Sequence, residues 1–377
     1  MKIKTHRKIL LTGTPFVNTT YDIENLLCFA EAKQPLTKDL YGKIISDNAA
    51  RYDYFKYRIS HYVDNGQNAN FPKINYIYVP LIITDPLHIH DLQKFASKTE
   101  NNSFYSNSRA LTETLDDLKI NFIIKKIKEN PDYKTIIYSN FIHHGIHAIM
   151  DALNKNKIAY ARISGEDSTQ EKQKSVFAYS PEKAPSDIRD SIKPVKVLLI
   201  TKAGAEGVDT SATRQLFVVS GQWNEALYEQ IVARAARYKS HHSLPLTERF
   251  VNVYKLFLCT ELEANEIKKF NNPHYDFNAT LQLVREAQTE IKDAEKEKFS
   301  LRSLDRTKKG SRERREILES ADFANKRHEY NIEKVKNGIF SGRVSVDCML
   351  FLIQKAKLQL IEYFVKEYSI KMFLLFY

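Results

Sequence analysis

Cysteine and glycine are scarce in this chain, and both shortages narrow what it can do. Only three cysteines occur in 377 residues, Cys28, Cys259 and Cys348, far apart and without a CxxC pair. That excludes a disulfide framework and a cysteine-based zinc site, and it suits a reducing compartment, cytosolic or nuclear. None of the eleven glycines opens a GxxxxGK[ST] loop, so the chain has no phosphate cradle of that kind. His143, His144 and His147 come without an HExxH arrangement or a nearby cysteine, so no metal site is expected. No Ser-His-Asp or paired-carboxylate pattern stands out. Long apolar runs are missing too. CMLFLI (348–353) and MFLLFY (372–377) are too short to span a bilayer, and the basic N-terminus lacks the apolar core of a secretory signal.

Acidic residues are in deficit. Fifty-seven Lys and Arg face 46 Asp and Glu, for a formal net charge of +11. A surplus of this size favours a polyanionic partner, nucleic acid first. The 21 tyrosines, with abundant Asn, Lys and Ile, mark a compositional bias that raises charge by itself, so charge supports the reading without deciding it. The length allows two or three domains.

Apolar patterning organises the middle of the chain. KILLT (8–12) reads as a short strand ended by Gly13-Thr14-Pro15, and a helix follows over 21–32. Residues 37–70 read as helical and then loop-like, 75–83 as a strand, and 115–129 as a charged helix. From Lys134 strands and helices alternate: strands at 135–139, 158–164, 195–201, 214–220 and 250–258, with helices at 142–154, 169–179 and 225–237. The alternation predicts an open parallel α/β domain over about 132–260. Ligands in such sheets bind at the carboxyl ends of strands, where Ser139, Ser164, Thr201 and Ser220 bring hydroxyls suited to phosphate. Residues 261–342 are charge-dense and read as an exposed helical insertion or arm, equally a solvated helix or a nucleic-acid contact. From Ser345 an apolar periodicity resumes, and a helix is expected to pack back on the core.

The stretch 195–242 carries the chemistry. Gly204 and Gly207 permit a tight loop after its first strand, and Asp209 follows. Gln230, Arg234 and Arg237 fall on one face of the expected helix, and two forked guanidinium groups suit a phosphate. Alone, paired arginines describe many basic surface helices, and Asp209 equally suits an Asx turn.

Five ordered segments add a resemblance. HRKILLTGTPFVN (6–18), KTIIYSNF (134–141), ARISGEDSTQEKQKSVF (161–177), LLITKAGAEGVDTSATRQLFVVSGQWN (198–224) and QIVARAARYKSH (230–241) resemble, in order and spacing, the third to sixth motifs of superfamily 2 helicases. The form is that of Snf2-like motors, closest to the helicase-like ATPases of large nucleocytoplasmic DNA viruses, whose closing segment SVDCMLFLIQKAK (345–357) resembles.

The resemblance implies a RecA-like parallel-sheet C-terminal lobe at 131–260. It further implies a remnant of the first lobe at 1–32, a helical connector at 33–130, a charged helical insertion at 261–343 and a returning helix at 344–377. It assigns Arg237 and Arg234 to the γ-phosphate, with Arg237 the better arginine finger. Gln230, Gly207 and Asp209 go to the nucleotide, and Thr201, Lys202, Ser139 and Asn140 to the nucleic-acid backbone. Thr12 and Thr14 go to coupling between lobes, while Trp223 is structural. The phosphate loop and acidic box of a full motor are missing, so ATP and Mg2+ are expected only with a missing N-terminal lobe or separate subunit. DNA is the expected partner, with RNA the other choice and viral transcription proteins further candidates. The site of action is host cytoplasm or virion if the chain is viral. The rival reading is a non-catalytic nucleic-acid-binding scaffold.

Overall fold

The computed structural model describes residues 10, 20–56, 58–59, 70–85, 88, 106–202, 208–222, 224–272, 274–275, 345–348, 350–351 and 354–355. Its centre is one six-stranded, all-parallel sheet: β1 (Lys73–Ile82), β2 (Lys134–Tyr138), β3 (Tyr160–Ile163), β4 (Val197–Ile200), β5 (Thr213–Val218) and β6 (Phe250–Cys259). The spatial order is β1-β6-β5-β2-β4-β3. A parallel sheet needs cover on both faces, hence the unbroken apolar run of β4 and the complete burial of both β4 and β5, the latter including Thr213, Arg214 and Gln215.

Alternation along each strand divides the core. Ile136 and Tyr138 of β2 face one layer, with Tyr179 of α7 (Thr169–Tyr179) and Tyr228, Ile231 and Val232 of α8 (Glu225–Ala235). Ile137 faces the other, with Ile120, Ile123 and Ile127 of α5 (Leu118–Glu129) and Ile149 and Leu153 of α6 (Ala148–Lys155). Helix starts are encoded locally. Ser168 and Glu171 form a reciprocal capping box on α7, and Thr260 and Glu263 form another on α9 (Glu261–Lys269). Asn224 caps α8 by accepting the Leu227 N–H at 2.9 Å.

The sheet is larger than the expected lobe at 131–260. β1, from the expected connector, pairs in register with β6 from Lys73↔Phe250 to Ile82↔Cys259. A parallel partner some 180 residues away leaves no local trace, so the segment reads as a strand without revealing its neighbour. α5 also belongs to the lobe. It is preceded by α4 (Ser106–Thr114), which packs against the π-helical turn Ile142–His147 at the start of α6. Farther upstream, α1 (Asp22–Glu31), α2 (Lys38–Ser46) and α3 (Asn48–Phe55) form their own cluster around Ile23, Leu27, Tyr41 and Phe55. Of the expected strand at 8–12 only Leu10 is described, and it is not in a strand; most of 261–343 likewise lies outside the described residues.

The chain returns to the sheet at 345–355, whose described residues from Val346 onward are helical. Cys348 and Phe351 pack with Phe257, Cys259, Ala264, Ile267 and Phe270. Asp347 is buried and makes three contacts there. It accepts the Leu258 N–H at 2.9 Å, lies 3.4 Å from the Thr112 hydroxyl, and pairs with the Lys119 ammonium at 2.7 Å. Lys119 also donates to the Val219 carbonyl at 2.9 Å. Asp347→Ala leaves that ammonium buried without its carboxylate, so urea unfolding of the variant is expected to show a loss of about 3–5 kcal/mol. A loss under ~1 kcal/mol contradicts the account.

Candidate nucleotide and nucleic-acid sites

Two clusters of expected site residues lie at opposite ends of the sheet. The first gathers where β5 begins. Asp209 ion-pairs with Lys183 and, at 3.4 Å, with the Arg237 guanidinium. The Thr210 hydroxyl donates to the Arg234 carbonyl at 2.6 Å, and the Ala212 N–H to the Ser240 carbonyl at 2.8 Å. The fifth and sixth motif segments are thereby stitched together.

The expected helix over 225–237 ends earlier, at Ala235, so Arg237 does not share a helical face with Gln230 and Arg234. The Arg237 N–H donates to Ser240 Oγ at 3.1 Å, and that hydroxyl lies 2.7 Å from the Arg237 carbonyl. A turn, not the helix, therefore aims Arg237. His241 anchors the turn, its Nε2–H reaching the Thr213 carbonyl at 2.6 Å and its Nδ1 lying 2.9 Å from Ser240 Oγ. Burial pushes the imidazole below its ordinary pKa, which favours the neutral ring. Gln230 is exposed on α8 and Arg234 half-buried in its last turn. The ion pairs around Asp209 are half-exposed and so weakly held, which leaves Arg237 and Lys183 available to a competing phosphate. This donor set fits a nucleotide phosphate. No cluster of three or more His, Cys, Asp or Glu that suits a metal occurs among the described residues.

The second cluster lies where the strands finish. β5 has six residues, so it is removed from the first by roughly 20 Å. Asn140 follows β2, Thr201 and Lys202 follow β4, and Ser220 follows β5. The expectation that strand-end hydroxyls face a phosphate does not hold for Ser139 and Ser220. Both are buried, and both donate inward to the Glu113 carboxylate, Ser139 at 2.5 Å. Thr201 is buried too, its N–H on the Ile163 carbonyl at 3.2 Å, and Ser164 Oγ accepts the Glu166 N–H. Lys202 is exposed and Asn140 partly so. Asn140 accepts the Tyr138 hydroxyl at 2.8 Å and donates its N–H to Ser220 Oγ at 2.8 Å. Thr12, Thr14, Gly204, Gly207 and Trp223 lie outside the described residues.

Glu113 is the site feature that motif reading missed. It sits at 1% exposure on α4, and Arg109, one turn earlier, donates to the Gly221 carbonyl at 2.7 Å and lies over the Phe141 ring. Gly145 packs against Glu113 and Ser139 so closely that a Cβ has no room. The only signal in the sequence is a charge pair spaced i, i+4 on a polar segment, which looks like any solvated helix.

Residues 118–239 match the helicase conserved C-terminal domain. A putative ATP-dependent RNA helicase of Acanthamoeba polyphaga mimivirus is 37% identical over 137 residues, covering 36% of this chain and 28% of that protein. Nucleoside triphosphatase I of Melanoplus sanguinipes entomopoxvirus is 25% identical over 176 residues, covering 44% and 26%. The termination factor NPH-I homolog of African swine fever virus is 28% identical over 124 residues, covering 33% and 17%. The match spans only about a quarter of the length of the first two relatives. The six-stranded parallel sheet with helices on both faces is the expected RecA-like lobe.

Burial raises Glu113 to about 7 against the Ser139 and Ser220 hydrogen bonds, which pull it down. A carboxyl raised on folding contributes stability that is complete below about pH 4.5 and is lost as pH climbs through about 7. Urea unfolding at pH 5 and pH 8 is expected to show wild type losing ~2 kcal/mol more than Glu113→Gln across that window. Equal losses in the two proteins contradict the assignment.

Proposed function

We propose that this superfamily 2 helicase C-terminal portion, of the Snf2-like kind found in large DNA viruses, is the half of an ATP-driven nucleic-acid motor that closes on the nucleotide. The observation that carries the reading is the pairing of Asp209 with Arg237 inside the matched domain, two motif segments joined at 3.4 Å. Arg237 is the arginine finger. Its guanidinium leaves the half-exposed ion pair with Asp209 to meet the charge spread over the γ-phosphoryl oxygens during transfer. Arg234 supports it, and Gln230, Gly207 and Asp209 orient the nucleotide. ATP with Mg2+ supplies the phosphoryl group and its charge neutralisation. The residues here fit the phosphate, so the metal is held by a lobe that carries the phosphate loop and acidic box. Thr12 and Thr14 couple that lobe to this one.

Nucleic acid lies across the opposite end of the sheet, at Lys202 and Asn140, with Thr201 and Ser139 acting through the backbone they fix. The excess of positive charge supports this assignment. The relatives named as nucleoside triphosphatases and a termination factor support a role in viral transcription or genome remodelling. No helix among the described residues is long and apolar enough to cross a membrane.

A second reading, a nucleic-acid-binding scaffold, is favoured for the isolated polypeptide by one fact. No GxxxxGK[ST] occurs in its 377 residues. Purified 1–377 is expected to hydrolyse no ATP with or without DNA. Adding a lobe that bears the phosphate loop restores turnover, and Arg237→Ala then cuts kcat by about 10³-fold or more. Turnover by the chain alone, or full activity of Arg237→Ala in the reconstituted pair, overturns the proposal. Oligonucleotide affinity is expected to fall at least ~10-fold between 50 and 200 mM salt, and Lys202→Ala to reduce the slope of log K against log salt by about 1. A salt-independent affinity removes the nucleic-acid assignment.

A further inference from the structure

Arg109 and Glu113 lie outside the span of the helicase domain match, yet they hold both loops at the carboxyl end of β2 and β5. The hydrogen bonds form a closed set. Each serine hydroxyl donates to Glu113 while its oxygen accepts a loop amide: Phe141 N–H on Ser139 at 3.0 Å, and Asn140 N–H on Ser220 at 2.8 Å. Arg109 adds the Gly221 carbonyl on one loop and the Phe141 ring on the other. Partly exposed Asn140 is carried by the loops so held, and buried Gln222, which donates to the Ser220 carbonyl at 2.8 Å, braces it, the two side-chain amides approaching at 3.5 Å.

The set has a second arrangement. Ser139 Oγ also lies 3.0 Å from the Phe141 carbonyl. An ionised Glu113 accepts from both serines. A protonated Glu113 must itself donate to one of them. If that one is Ser139, its freed hydroxyl hydrogen has the Phe141 carbonyl to turn to. The proton leaves or arrives at one carboxyl oxygen, and one hydroxyl rotates. The charged and titratable groups around this carboxyl are Arg109 on α4, Lys119 on α5, Asp347 on the returning segment and Tyr138 on β2.

We propose that Arg109 and Glu113 are positioning residues for the carboxyl-end loops, setting how Asn140 meets a nucleic-acid backbone, and that a proton on Glu113 selects between two hydrogen-bond arrangements of the Ser139–Phe141 loop. The proposal rests on the reading of this end of the sheet as the nucleic-acid face. Glutamine at position 113 has one acceptor oxygen and one donor nitrogen and no titratable proton, so it holds the accept-and-donate pattern of the protonated acid at every pH.

The test uses the full 377-residue chain as wild type, Glu113→Gln and Arg109→Lys. Affinity for a fluorescent single-stranded oligonucleotide and a blunt duplex is measured at fixed salt from pH 5.5 to 8.5. Amide hydrogen exchange across 139–147 and 219–222 is followed over the same range and corrected for intrinsic rates. Wild type is expected to show a step of three-fold or more in affinity near pH 7, with a matching step in protection of the Asn140 and Phe141 amides. Glu113→Gln lacks both steps while keeping the wild-type unfolding midpoint at pH 5.5. Arg109→Lys loosens 219–222 at every pH. Superimposable pH profiles of wild type and Glu113→Gln in both measurements overturn the proposal. An exchange step without any oligonucleotide binding overturns the nucleic-acid reading and its share of the proposal, while leaving the clamp itself demonstrated.

Discussion

The lobe depends on one buried ion pair. Lys119 and Asp347 meet at 2.7 Å with almost no exposed side-chain surface. Stripping water from two charges costs several kcal/mol per ion, and only a complete set of partners offsets it. The Val219 carbonyl, the Leu258 N–H and the Thr112 hydroxyl complete that set. Its members come from α4, α5, the ends of β5 and β6, and the returning segment at 345–355. None of these can shift alone without stranding a charge. Segments that flank the helicase match on both sides are therefore integral to its packing.

Glu113 extends the same polar layer toward the carboxyl end of the sheet. Its carboxyl is surrounded by Ser139, Ser220 and the backbone of Gly145, which has to be glycine because the carboxylate occupies the space a Cβ needs. The π-helical turn over Ile142–His147 brings that glycine in. Extra residues per turn of this sort commonly mark functional positions, and here the turn follows directly on the Asn140 loop.

The two candidate sites are set apart by the direction of β5. Asp209, Arg237 and Lys183 gather at its start, and Asn140 and Ser220 at its finish. β5 and α8, running back along it, join them mechanically. Tyr228, Ile231 and Val232 of α8 pack on the layer that contains Leu216 and Val218 of β5. The two ends are thus joined by one strand and one helix packed on the same apolar layer.

Much of the lobe is legible in the sequence. The helix over 169–179 is written in its Ser168–Glu171 capping box, the strand at 197–200 in an unbroken apolar run, and those at 213–218 and 250–259 in apolar residues interrupted by Arg214, Gln215, Asn252 and Lys255. The ordered motifs also bring Asp209 and Arg237 forward as separate candidates, and the structure pairs them. Other features needed the tertiary structure. Whether Ser139 and Thr201 face solvent or core depends on which way one hydroxyl turns, and a buried acceptor such as Glu113 decides that from 26 residues away in the Ser139 case. The partner of β1 depends on backbone pairing across 177 residues, as between Asn75 and Asn252. Local periodicity and residue type act over a few positions, so the sequence by itself determined element type and fold class. Burying charge requires partners from anywhere in the chain, so the assembled core alone decided which polar residues stay exposed and which are sealed inside.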